Sequence, residues 1–318
     1  MRLPAAAVIL LLVSPLAAED ADVVKLAPFR VEEPALDLEL GRWSYARAGQ
    51  CEVMTDHGPL VAAAIVRDAV VVAEYLRYAH PEADIPKRTP IRIVVDSGTP
   101  KSLFRAGAAR PGGSARRGAV GLHLVSPLSP QAPLAEIRRE LVRSGFAHNG
   151  SKLPFWYQRA LSHLIAAAKV TDNLLVIGHP PAGLKPRTLS PAERAGELAA
   201  LFQLREDSPE LRDETRRRRY EELATLFMQV CLYSHRGVHA RSFLNFLLDP
   251  AVTADPPTAF TRAFGAGYAW VDPLLREAAR RDYRYFTTTV RCQVDTEPAT
   301  RPGHRSDLDD FTYALGAE

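Results

Sequence analysis

The sequence is poor in cysteine and shows no large excess of either charge. Its 318 residues include three cysteines, and 40 lysines and arginines face 37 aspartates and glutamates, which gives a formal net charge of +3. A nucleic-acid-binding protein usually carries a one-sided basic stripe, so we expect no nucleic acid as partner. Cys51, Cys231 and Cys292 lie far apart and follow no metal-binding or redox spacing. In an oxidising compartment one pair could form a bridge, but three cysteines exclude a disulfide-rich scaffold.

Long apolar runs are also missing, with one short exception at the N-terminus. Arg2 is followed by an apolar run from Ala5 to Val13 and by the small-residue segment from Pro15 to Ala18. This layout is typical of a secretory signal peptide, and the run is well short of the roughly 18 apolar residues that span a bilayer. We therefore predict a signal peptide over residues 1–18, no transmembrane anchor after its cleavage, and export of a soluble bacterial protein to the periplasm or the cell exterior.

The first part of the mature chain has the pattern of a small α/β unit, over residues 41–130. Residues 19–40 precede it as an extended leader. The segment from Trp43 predicts a strand, or a hairpin that turns at Ala48 and Gly49. Helical spacing follows in the apolar set Val61, Ile65, Ala69, Val72 and Leu76. A second strand begins at Ile91, and the segment ARPGGSARRGAV, rich in glycine and arginine, predicts a mobile surface loop before a last strand.

From Pro133 onward the patterns predict helices almost to the end of the chain. The predicted ranges are Leu134 to Ala147, Pro154 to Lys169, Pro191 to Leu204, Ser208 to Tyr233, Ala240 to Leu248, Pro257 to Phe264 and Val271 to Arg281. The fold class is therefore α+β: a small N-terminal sheet with a long packed helix, then a mainly helical half over residues 131–290. A C-terminal tail, 291–318, is expected to be poorly ordered from Thr296 to Glu318.

Two of these helices carry a chemically suggestive frame. A zinc site of the His-Glu-x-x-His type uses two histidines on one helical face as ligands and the glutamate between them to activate water. Arg139, Glu140 and Arg143 keep this spacing and the central acid, but both ligand positions are arginine. The next helix opens with the sequence PFWYQRALS, from Pro154.

The PFWYQRALS segment resembles the Pro-x-Trp-x-x-Glu-Gly-Leu-Ala signature of peptidase-MA-like gluzincins, a family of zinc metallopeptidases. Pro154, Trp156 and Leu161 match, and Arg159 stands where the third zinc ligand, a glutamate, would be. The segment TAFTRAFGAGYAWVDPLLREA, from Thr258, is similar to a closing segment of the same family. The resemblance covers about residues 42–285 and implies a gluzincin-like, or zincin-like, fold.

The same resemblance implies that the zinc chemistry is lost. A guanidinium has no lone pair to offer a metal. We therefore expect no metal or other cofactor, and Glu140 is only a vestigial general-base position. The sharper hypothesis is an anion or peptide cleft formed by Arg139, Arg143 and Arg159 with Tyr157. The simpler one is local ion pairing, because Glu136 and Glu140 each lie three residues before an arginine. A bridge from Glu140 to Arg159 is a further structural reading.

Other constellations are weaker. Cys231, His235 and His239 are spaced four and four, but Gly237 is expected to end the helix, so Cys231 and His235 are only a minor alternative metal site. His148 and His163 flank Trp156 without an acid or cysteine to complete a site. The run from Asp213 to Glu222, with opposite charges four apart, indicates a solvated helix face. The less compensated loop arginines are Arg110, Arg116 and Arg117, which could contact a ligand.

The leading functional hypothesis is thus an exported, non-catalytic pseudo-metallopeptidase that binds a peptide, a protein or a cell-envelope partner. Two alternatives remain open at this point. One is an active metal-dependent hydrolase with relocated ligands such as Cys231, His235 or His148. The other is a purely structural envelope protein. The sequence leaves the ligand and the oligomeric state undetermined.

Overall fold

A computed structural model describes residues 43–83, 85, 90–96, 112–116, 119–125, 132–147, 153–181, 191–278, 285–294, 297–304, 306–307 and 310–311. The predicted signal peptide and leader lie outside the described residues, as do Arg110, Arg117 and His148.

The strands are β1 (Ser44–Ala48), β2 (Cys51–Thr55), β3 (Ile91–Asp96), β4 (Gly112–Arg116), β5 (Ala119–Val125), β6 (Lys169–Thr171), β7 (Leu174–Ile177), β8 (Thr288–Arg291) and β9 (Ala299–Pro302). The helices are α1 (Pro59–Ala79), α2 (Ala132–Ala147), α3 (Phe155–Ala166), α4 (Pro191–Gln203), α5 (Glu214–Tyr233), α6 (Ala240–Leu247), α7 (Pro256–Phe264) and α8 (Asp272–Ala278). The mixed α+β class is confirmed, with a small N-terminal sheet and its helix followed by a mainly helical half.

The N-terminal half forms five strands of a six-stranded sheet with the order β4-β5-β3-β2-β1-β9, and the C-terminal tail supplies the sixth, β9. The segment from Trp43 forms a hairpin, in which β1 and β2 pair antiparallel, while β2, β3 and β5 run parallel. Helix α1 begins with Pro59 and contacts β1 and β2. Of its predicted apolar stripe, Ile65, Ala69, Val72 and Leu76 are fully buried, and Val61 is partly buried. The helix face predicted from the apolar spacing is therefore the face that packs in the core.

The helical half is built around aromatic side chains. Trp156 of α3 is almost completely buried, and rings from three other helices surround it. The ring centroids of Phe202, Phe227, Phe243 and Phe246 lie 5.1, 5.9, 6.1 and 6.0 Å from that of Trp156. These separations fall in the range of favourable aromatic pairs. Trp156 thus fixes α3 against α4, α5 and α6.

Two predictions about irregular segments are wrong, and strands appear in the half that was predicted to be mainly helical. Part of the glycine-rich segment forms β4, which pairs with β5 at one end of the sheet. A second sheet, β6-β7-β8, interrupts the helical half. In the C-terminal tail, β9 pairs with β1, and Phe311 is fully buried with its ring against Tyr45. Strands this short carry little local signal, because their stability comes from pairing with distant partners.

Across the described residues, none of the helices combines the length and apolar character needed to span a bilayer. Cys51, Cys231 and Cys292 are all buried free thiols, so the sequence-based option of one bridged pair is not realised in this structure.

Candidate functional site

Helices α2 and α3 hold Arg139, Arg143 and Arg159 in a fixed orientation. We call these three residues the arginine frame. The buried face of α2 contains Ile137, Leu141 and Val142. Beside them, Arg138 donates two hydrogen bonds to Asp68 of α1, from Nε to Oδ2 at 2.7 Å and from Nη2 to Oδ1 at 2.5 Å. It also donates to the carbonyl oxygen of Ala166 at 3.3 Å. This buried pair determines how α2 is rotated against α1 and the end of α3.

Two of the three frame arginines meet at one carboxylate. Arg143 Nη2 and Arg159 Nη1 lie 3.8 and 3.9 Å from Oε1 of Glu221, on α5. The other carboxylate oxygen of Glu221 lies 3.3 Å from Nε2 of His163. Glu221 is therefore surrounded by three groups that carry or can acquire positive charge. Among the residues that the structure describes, its Oε1 has no hydrogen-bond donor.

Local pairs engage Arg139 and Arg143 of α2, as the simpler hypothesis predicted. Arg143 Nη1 donates to Glu140 Oε1 at 2.7 Å, and Arg139 donates to Glu136. The predicted bridge from Glu140 to Arg159 is not formed, because Glu140 pairs with Arg143 and Arg159 lies beside Glu221. Arg139 thus belongs to a surface pair and does not join the other two arginines.

A cavity of about 230 Å³ opens beside these residues. We call it the α2–α3 cavity, and its described lining consists of Glu140, Arg143, Ser144, Phe146, Phe155, Gln158, Arg159 and Glu206. It combines two guanidinium groups, two carboxylates, an amide and two phenyl rings. Such a mixture of apolar walls with a few convergent polar groups is characteristic of small ligand sites.

Arg159 is the cavity residue with the most unused binding capacity. Its Cζ lies 4.7 Å from the centroid of the Phe155 ring, a cation–π contact. Its ion pair with Glu221 is long, and it donates no hydrogen bond to another described residue. Burial lowers the pKa of Arg159, and the nearby charge of Arg143 acts in the same direction. A guanidinium nevertheless stays protonated in proteins, so Arg159 presents free N–H donors to the cavity.

Glu221 is the functional residue that the sequence analysis missed. Glu221 belongs to the run that was predicted to form a solvated helix face, but its side chain is only 13% exposed and Arg217 pairs with Glu214. Burial by itself would raise the pKa of Glu221. The contact with His163 and the charges of Arg159 and Arg143 lower it more, so the net pKa lies below the ordinary value of 4.5. Its spacing from the buried Ala224 and Met228 was a signal for this orientation.

Tyr157 is placed away from the cavity, contrary to the prediction. It is buried, and its ring packs beside those of Trp156, His80 and Phe243. Burial raises the pKa of its hydroxyl above the ordinary range. Tyr157 thus contributes to the aromatic core and is not among the described residues that line the cavity.

The alternative metal pair, Cys231 and His235, does not form a site in the described structure. Cys231 is fully buried, burial raises the pKa of its thiol, and His235 Nε2 lies 3.5 Å from Glu277 Oε2. Within the described ranges, no three His, Cys, Asp or Glu side chains are grouped so that they could hold a metal ion.

Comparisons with models of known families and with curated proteins return no match for this sequence. The function must therefore be inferred from the residues of the α2–α3 cavity and their chemistry. The zinc ion of a gluzincin does not fit this residue set. Guanidinium groups offer no lone pair, and Arg143 and Arg159 would repel a cation.

Proposed function

We propose that the protein is an exported, non-catalytic relative of peptidase-MA-like gluzincins that binds a peptide or protein partner through the α2–α3 cavity. Two features support the gluzincin relationship. The arginine frame lies on two consecutive helices, and these follow a hairpin, a long helix and further strands, which is the order expected for that family. Export is supported by the signal-peptide pattern of residues 1–18.

The loss of catalysis is supported by the chemistry of the frame. Glu140 accepts a hydrogen bond from Arg143, so its carboxylate is engaged by a neighbouring guanidinium. Arginine stands at all three ligand positions, and a guanidinium cannot replace a metal ligand. We infer that the former catalytic frame now provides charged and polar groups for binding.

The observation that carries the binding proposal is the state of Arg159. Its side chain is 21% exposed, lines the cavity and rests on the Phe155 ring, yet its nearest described carboxylate oxygen is 3.9 Å away. Hydrogen bonds between an ionised donor and an ionised acceptor are normally about 2.7–2.9 Å long. The contact with Glu221 is therefore too long to use the donors of Arg159, and a ligand with an acceptor group would satisfy them.

Metal content and peptide binding test this proposal together. The protein lacking residues 1–18 would be dialysed, analysed for zinc, and titrated with fluorescent peptide mixtures. We expect less than stoichiometric zinc, no cleavage, and binding that Arg159→Gln weakens. Arg241→Gln serves as the matched control, because Arg241 is an exposed arginine of α6 outside the cavity lining.

Two results would contradict the proposal. Stoichiometric zinc retained through dialysis, with chelator-sensitive peptide cleavage, would establish a working metallopeptidase. The absence of any peptide or protein ligand, with Arg159→Gln equal to the control in every assay, would favour a purely structural envelope protein.

A further inference from the structure

We infer that the ligand of the α2–α3 cavity is the free C-terminal carboxylate of a peptide whose last side chain is apolar. This inference rests on the proposed binding function and specifies which part of a peptide is recognised. It follows from the size of the cavity, its charges and the positions of its polar and aromatic groups.

The size of the cavity favours an end of a chain over a continuous segment. Pockets for drug-sized ligands usually measure about 300–1,000 Å³. The α2–α3 cavity, at about 230 Å³, is smaller. It can hold roughly one residue with its terminal group, whereas an extended stretch of several residues would have to lie outside it.

The charges of the cavity favour a single carboxylate over a more highly charged anion. Arg143 and Arg159 attract an anion, but Glu140 and Glu206 line the same cavity. A phosphate group, which carries close to two negative charges at neutral pH, would meet stronger repulsion from those carboxylates. A planar carboxylate matches the hydrogen-bonding edge of a guanidinium in bidentate geometry. Arg159 is the better partner, because Arg143 already donates to Glu140.

The remaining lining suits the last peptide unit. Gln158 Nε2 donates to the carbonyl oxygen of Leu153 at 2.9 Å, which leaves the Gln158 Oε1 atom as an acceptor for a peptide N–H. Phe146 and Phe155 supply apolar surface for the terminal side chain. The cavity therefore offers a cation for the carboxylate, an acceptor for the amide and an apolar wall for the side chain.

Matched peptides separate this inference from the broader binding proposal. We would label short peptides at the N-terminus and compare the sequence ending in Ala-Leu as the free acid, the same peptide as its C-terminal amide, and an amidated peptide with an internal aspartate. Affinities would be measured by fluorescence polarisation on the full mature chain. Loss of one charge-assisted hydrogen-bonded contact corresponds to roughly a 10- to 100-fold change. We expect the free acid to bind about tenfold or more tightly than either amidated peptide.

Variants of Arg159 show whether that difference arises at the proposed site. Arg159→Gln should lower the affinity for the free acid to that for the amide while leaving the amide affinity unchanged, since only the acid uses the guanidinium. A purely structural role would weaken both peptides equally. Arg159→Lys retains the charge without the bidentate edge, so its affinity for the free acid should lie between those of the wild type and Arg159→Gln. Phe155→Leu removes the ring that supports Arg159. If Arg159→Gln fails to fold, these two variants carry the test.

Each other outcome has a definite meaning. Equal binding of acid and amide would leave peptide binding intact and overturn recognition of the C-terminus. Equal binding of the free acid and the internal aspartate would show that any carboxylate is accepted, which also overturns the inference. Binding of none of the peptides, with a folded protein, would contradict the proposed function itself.

Discussion

Arg138 and Arg143 lie five positions apart on helix α2 and contact carboxylates of other helices in two different ways. Arg138 meets Asp68 through two short hydrogen bonds, and the two side chains are 10% and 5% exposed. Arg143 shares Glu221 with Arg159 at 3.8 and 3.9 Å, and the two arginines are 33% and 21% exposed. The Arg138–Asp68 contact is buried and uses both carboxylate oxygens of Asp68. The contact of Arg143 and Arg159 with Glu221 is long and borders a cavity.

The difference shows how the same residue types serve two purposes. A buried bidentate pair holds elements together, and removing one partner leaves an uncompensated charge in the interior. A long, partly exposed contact contributes little to stability but keeps donors available. We therefore assign Arg138 to the architecture of the fold and Arg159 to ligand binding. The predictions that follow test this assignment.

Replacing Arg138 should have the largest effect. In Arg138→Met, Asp68 loses both hydrogen bonds while remaining buried, so we expect a loss of about 3–5 kcal/mol in the free energy of unfolding. Burial already raises the pKa of Asp68, and loss of the guanidinium should raise it further. Protonation then relieves the buried charge, so the loss should be smaller at pH 4 than at pH 7. Urea denaturation at both pH values measures it.

The double variant Arg138→Met/Asp68→Asn is the control for that measurement. With no ionised carboxylate left behind, it should recover part of the lost stability. Equal stability of the wild type and Arg138→Met at pH 7 would remove Arg138 from its architectural role.

Replacing Glu221 should have an intermediate and pH-dependent effect. Because the pKa of Glu221 in the folded protein is below 4.5, its contribution to stability is present above the ordinary carboxyl pKa and is lost as pH falls through the lowered value. We expect Glu221→Gln to be less stable than the wild type by about 1–2 kcal/mol at pH 7. The two curves of unfolding free energy against pH should converge as the pH falls through the lowered pKa of Glu221.

Glu221→Gln should also bind the free-acid peptide more tightly, by a few-fold, because a competing carboxylate is removed from Arg143 and Arg159. A gain in affinity together with a loss in stability would separate the two roles of this residue. Weaker binding would mean that Glu221 positions the arginines instead of competing for them.

Arg159→Gln should affect stability by less than about 1 kcal/mol, since its ion pair is long and its side chain is partly exposed. Its expected consequence is the loss of ligand affinity described above. Thermal unfolding of Arg159→Gln beside Arg241→Gln measures the stability term. A loss comparable to that of Arg138→Met would place Arg159 with the architectural arginines and contradict the contrast between the two contacts.

Arg139→Gln should have the smallest effect. Its partner, Glu136, lies three residues away on the same helix, and both side chains are partly exposed. Such pairs contribute about 0.2–0.5 kcal/mol. We expect peptide affinity to be unchanged in a polarisation assay. A marked loss of affinity would mean that Arg139 contributes to the binding site together with Arg143 and Arg159.

Much of the fold was predictable from local patterns. The apolar spacing that ends at Leu76 predicted α1, and the predicted helix from Pro191 to Leu204 differs from α4 by one residue. The pairs of Arg139 and Arg143 were also predictable, because residues three apart on a helix are neighbours. The cavity was predicted only in part. Arg143 and Arg159 do meet at one carboxylate, whereas Arg139 and Tyr157 lie elsewhere.

The sequence by itself determined most of the helices and the contacts between neighbouring residues on them, since each of these depends on spacing within a short segment. The tertiary structure decided which distant groups meet. Glu221 reaches the arginines only because α5 packs against α3, and Asp68 meets Arg138 across 70 residues of chain. Strand β9 likewise needs β1 as its partner. Charge spacing within one helix cannot specify such contacts, because they arise when buried faces of separate elements pack together and orient the polar groups beside them.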